Sequence, residues 1–77
     1  MYQEAVSEIM VFKTNIREDG EVESIGRSLN CELRIKRWNI DRNDVDNVLR
    51  IEAEHLEADH IIRLVQRAGF ACEELPD

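Results

Sequence analysis

A two-layer α+β sandwich, with a four-stranded antiparallel sheet carrying two helices on one face, is the fold class the sequence predicts. Three observations predict it. Apolar residues alternate with period two in four short runs, recur at spacings of three and four in two longer ones, and the six segments follow one another in the order β-α-β-β-α-β. Each helix then has one apolar stripe, which needs a sheet to cover it.

Residues 1–8 show weak periodicity and read as a loose lead-in, leaving 9–75 as a single domain. Met10, Phe12 and Thr14 alternate with Val11, Lys13 and Asn15, the pattern of a half-buried strand. A polar turn from Asn15 to Gly20 delivers the first helix. That helix can begin at Asp19, whose carboxylate can accept from free backbone N–H groups, or at Asn15 with Glu18 completing a capping box. Val22, Ile25 and Leu29 share its apolar face, while Glu21, Glu23, Arg27 and Ser28 face water. Asn30, Cys31 and Glu32 form the turn out of the helix.

Ile35 is an apolar plug ahead of the second strand, which centres on Trp38; there Trp38 and Ile40 alternate with Arg37, Asn39 and Asp41. The basic cluster Arg34, Lys36 and Arg37 suits a sheet edge protected by charge from pairing with another edge. Asp41 to Asn47 is dense in turn formers and joins a hairpin. It lacks the glycine and terminal glutamate of a calcium-binding EF-hand loop, so a solvated turn is the reading. Leu49, Ile51 and Ala53 mark the core side of a third strand running from Val48 to Ala53. Helical spacing of Ala58, Ile61, Val65 and Ala68 defines a second helix over Glu57 to Ala68, with Gly69 placed to end it in a left-handed conformation. A last strand runs from Phe70 to Leu75, before Pro76. This is the split βαβ, or ferredoxin-like, βαββαβ plan, and it leaves one sheet face uncovered, with Val11 and Val48 on it.

Charge and composition exclude several functions. Seventeen acidic against ten basic side chains give a net charge of −7, which opposes nucleic acid and anionic lipid as partners. No apolar run approaches the ~18 residues of a membrane span, and the first residues lack the basic start and apolar stretch of a secretory signal, so the cytoplasm is the expected location. At 77 residues the core is thin, and self-association would add stability. Cys31 and Cys72 form no metal-binding or disulfide pattern and read as reduced thiols, a class more often buried than reactive, with the burial of each left open by the sequence.

Several segments together resemble the heavy-metal-associated domain family, the small copper-chaperone-like modules also found at the front of metal-pumping ATPases. They are Val22 to Ile25 followed by Leu29, the Trp-Asn-Ile-Asp run from Trp38 to Asp41, the hairpin to Leu49 and Ile51, and the helix ending from Ile61 to Phe70. The resemblance spans Met10 to Leu75 and implies the ferredoxin-like fold. It also implies a site at the mouth of the first helix, where the family keeps two thiolates three residues apart for Cu(I). Counted back from Val22, those positions hold Glu18 and Glu21, hard oxygen ligands unsuited to Cu(I).

Glu18 and Glu21 remain candidates for a harder cation, although acidic residues in a helix's first turn also complement its dipole. His55 and His60 are further candidate ligands for zinc, but they are five residues apart and share no helical face. No nucleophile with a nearby base and no glycine-rich phosphate loop points to an enzyme. Arg17 and Asn39 sit in places loosely like those of acylphosphatases, without the glycine-rich first loop. The central strands lack the aromatic residues of an RNA-recognition motif. The expected function is therefore a non-enzymatic binding module, without cofactor, that docks another protein or a second copy of itself through the open sheet face or an edge strand. Val11, Lys13, Arg37 and Trp38 are the candidate interaction residues. The alternative is a binder of a metal other than copper, zinc for example, with ligands from Glu18, Glu21, the histidines and the cysteines.

Overall fold

The structure, a computed structural model, describes residues 7–76. Its elements are β1 (Ser7–Thr14), α1 (Asp19–Asn30), β2 (Ile35–Asp41), β3 (Val48–Glu54), α2 (Ala58–Arg67) and β4 (Cys72–Glu74). The four strands form one antiparallel sheet in the order β2-β3-β1-β4. The predicted order and sheet type are those observed. Ser7 and Glu8, read as lead-in, belong to β1; the rest of the lead-in, 1–6, lies outside the described residues.

Period-two burial builds the sheet. Met10 and Phe12 of β1 stand opposite Ile51 and Leu49 of β3, and all four are buried. With Ala53 they meet Ile25 and Leu29 of α1 and Ile61 and Val65 of α2 in a single core. Fully burying side chains of this size stabilises the fold by about 1.5–3 kcal/mol each. Two members of that core escaped the sequence reading. Ile16, read as part of a polar turn, is fully buried, and Leu56, between β3 and α2, is nearly so.

Strand β2 contains an irregularity that strict alternation does not describe. Ile35 stands opposite Ala53 and Arg37 opposite the adjacent Glu52, so Lys36 is an extra residue in the ladder. That bulge lets Ile35, Trp38 and Ile40 all pack on the core although their numbers differ in parity. Gly69 ends α2 at φ 101°, the left-handed conformation predicted for it. Strand β4 is shorter than read, because Ala71 donates its N–H to the Asn15 side chain instead of to a strand.

The open sheet face is mostly charged rather than apolar. Lys13 reaches Asp46, Lys36 reaches Glu54, and Arg37 lies opposite Glu52 with 3.8 Å between Nε and Oε1. Val11 is half-buried there, Val48 is buried at the sheet's end, and Ile9 is exposed.

Candidate functional site

Every turn of the loop from Thr14 to Asp19, which feeds α1, is held by a bond. The Thr14 hydroxyl donates to the Asn47 carbonyl at 2.7 Å and accepts from the Ile16 N–H at 3.2 Å. Both Thr14 and Asn47 are buried, so this pairing removes polar groups that would otherwise be costly. The Asn15 side-chain oxygen accepts from Ala71 N–H at 2.9 Å, tying the loop to the entrance of β4. Ile16 anchors it in the core.

Beyond Ile16 the two positions of interest are used structurally. Glu18 is the N-cap of α1 in extended conformation, and its carbonyl accepts from the N–H groups of Glu21 and Val22. The Glu21 carboxylate folds back over the helix start, where Oε1 accepts from Arg17 N–H at 2.9 Å and Glu18 N–H at 3.0 Å. Donation from Glu18, then from Arg17, holds the Glu21 carboxyl below its ordinary range. Asp19, offered above as the cap, instead makes an ion pair with Arg42 at 2.6 Å. The same guanidinium donates to the Arg17 carbonyl at 3.1 Å. Arg42, from the hairpin between β2 and β3, thus straps the loop across its outer side.

The other candidate ligands are dispersed. His55 follows β3 at φ 53°, and its carbonyl accepts from Arg34. His60 on α2 pairs its Nε2 with Glu32 Oε2 at 3.1 Å. Cys72 is buried, and burial pushes its thiol up to about 12. Cys31, the residue that caps the C-terminal end of α1, is exposed, unlike Cys72, so the buried fate usual for an unpaired cysteine holds for one of the two. Among the described residues no three His, Cys, Asp or Glu side chains converge to hold a metal ion. In the hairpin loop the carboxylates of Asp41 and Asp44 accept from the N–H groups two residues on, as in a solvated turn.

Of the candidate interaction residues, Val11 stands opposite Arg50 and Lys13 opposite Glu73 on the open face, with Arg37 on the same side. Trp38 belongs to edge strand β2, but its ring turns toward α1. Its indole N–H donates to Asn30 Oδ1 at 3.0 Å and its six-membered ring covers Gly26, where an added Cβ would stand 3.0 Å from Cζ2. The charged cluster Arg34, Lys36 and Arg37 is satisfied within the chain. No described helix is long and apolar enough to cross a membrane.

No protein-family model and no curated protein matches the sequence. Solved structures do. The heavy-metal-associated domain of the copper chaperone for superoxide dismutase superimposes with a TM-score of 0.79 at 10% identity, over 99% of this chain and 74% of that one. A yeast copper transporter domain, solved in apo and Cu(I)-loaded states, gives 0.76 at 20% identity over 90% and 96%. A chain of the Atx1–Cu(I)–Ccc2a complex gives the same values. At this level of identity the likeness is one of fold: the chain is built on the heavy-metal-associated, ferredoxin-like plan, with Glu18, Asp19 and Glu21 at the mouth of its first helix.

Proposed function

We propose that the protein is a non-enzymatic binding module that engages other proteins and does not carry Cu(I). Its working unit is the single domain over 9–75. One observation carries this reading: the loop that would present the metal ligands is committed to its own helix. A carrier site needs two soft ligands free to approach and release the ion. Here Glu21 is a hard carboxylate already accepting two backbone N–H groups, and Arg42 closes the loop from outside. Docking on partner proteins is supported by the company the fold keeps, since a chain of similar fold is solved within a two-protein complex. The surfaces for such docking are the open face with Val11, Lys13 and Arg37, and the outer edge of β2 beside Trp38. Two thiols without a disulfide partner fit a cytoplasmic setting.

The test is titration with Cu(I) and Zn(II), followed by native mass and thermal stability. Neither ion is expected to add mass or raise the melting temperature of the wild type, whereas the E18C/E21C variant takes up one Cu(I). Stoichiometric uptake of either metal by the wild type, with a rise in melting temperature, overturns the proposal.

A further inference from the structure

On a chain with seventeen carboxylates, two neighbouring arginines lack an acidic partner. Lys13, Arg27, Lys36, Arg37 and Arg42 are ion-paired and Arg34 donates to a carbonyl; Arg17 in the loop before α1 and Arg50 on the open sheet face have no ion pair among the described residues either, but each stands without a second unpaired cation one helical turn away. Arg63 and Arg67, one turn apart on α2, are exposed and have no carboxylate within ion-pair distance among the described residues. Like charges at this spacing weaken a helix. The C-terminal end of the helix dipole accounts for Arg67, and Asp59 stands at the favourable spacing four residues before Arg63, but the two side chains are not within ion-pair distance.

The pair rims a groove of about 480 Å³ between α2 and the end of α1, with Leu64 and Ala68 on one side and Ser28 and Cys31 on the other. Leu64 and Ala68 are half-buried against the core, so the groove combines an apolar wall with two guanidiniums. Glu32, the carboxylate paired with His60 at the groove, also accepts from the Arg34 N–H.

We propose that this groove docks an acidic segment of a partner protein, with carboxylates on Arg63 and Arg67 and an aliphatic side chain against Leu64 and Ala68. Guanidinium pairs with carboxylate in a two-pronged geometry, and the cations stand exposed to receive it. The net charge of −7 repels a second copy over its whole surface, whereas a short acidic segment meets the two guanidiniums at close range and little of the remaining surface. The proposal rests on the reading of the domain as a protein-binding module. Its failure is told apart from failure of that reading, because the latter shows itself as metal uptake and the former as an unprotected groove.

Cys31 reports on the site, being exposed within the groove while Cys72 is buried. Iodoacetamide labelling of Cys31, read by mass, is to be measured at low salt with a capped peptide of alternating Glu and Leu, its Gln/Leu counterpart, and an oligothymidylate of equal charge. Cys72 staying unlabelled confirms that each variant is folded. The Glu/Leu peptide is expected to slow labelling saturably and the other two probes are not. R63E/R67E should weaken the protection about tenfold, and salt at a few tenths molar should reduce it. Absence of protection, equal protection by the Gln/Leu peptide or the oligothymidylate, or protection undiminished in R63E/R67E overturns the proposal.

Discussion

At the scale of the residue, Glu21 shows how a side chain at a familiar position acquires a different task. A cysteine there would leave its thiolate free to ligate a soft ion, whereas this carboxylate completes the first turn of its own helix. Glu21→Ala is expected to lower the melting temperature by leaving the N–H groups of Arg17 and Glu18 without that acceptor. The folded carboxyl sits below its ordinary value of 4.5, so its stabilisation is complete above that value and is lost as pH falls through the folded one. The gap in melting temperature between wild type and E21A, followed by circular dichroism, should therefore narrow between pH 7 and pH 3. Cys72 acts in the opposite direction. Its buried thiol ionises near 12 in the fold against an ordinary 9.0, so its contribution is intact below 9.0 and falls away as pH rises toward 12. Urea unfolding across that interval should show wild type losing stability faster than Cys72→Ala. An acidic residue at a helix start was legible in the sequence as a dipole partner. Which carboxylate caps and which pairs outward was not, because Asp19 is claimed by Arg42, 23 positions away.

At the scale of the element, α1 lies on β2 through a contact with no spare room. Alanine at position 26 gains about 1 kcal/mol of helix propensity over glycine. Its Cβ would press on Trp38, whose ring is fixed by the bond to Asn30, and overpacking of this kind costs about 1–3 kcal/mol. Gly26→Ala is accordingly expected to be destabilised on balance by about 1 kcal/mol, lowering the melting temperature by about 4–8 °C. Trp38 emission should change with it, since this is the chain's one tryptophan. Helices and strands were readable because their periods, 3.6 and 2, differ plainly over runs such as Ile61 to Ala68 and Leu49 to Ala53. Their ends were less so. The start of β1 and the shortening of β4 are set by bonds between distant parts of the chain, and the extra residue at Lys36 is set by the β3 register rather than by local preference.

At the scale of the molecule, the order of elements was visible in the sequence because each apolar stripe has one compatible partner surface. The candidate site was visible only as a location. What its residues do depends on contacts between parts of the chain far apart in sequence: Thr14 with Asn47, Asn15 with Ala71, and Arg17 with Arg42. The buried Ile16 adds a hydrophobic anchor that a polar loop did not announce. The strap from Arg42 also has an evolutionary side. Two substitutions to cysteine would supply the sulfur atoms of a carrier, but the fastening over them comes from the hairpin turn. The freedom of this loop is thus encoded in a different stretch of the chain than the residues at its mouth, and a lineage could change either without touching the other.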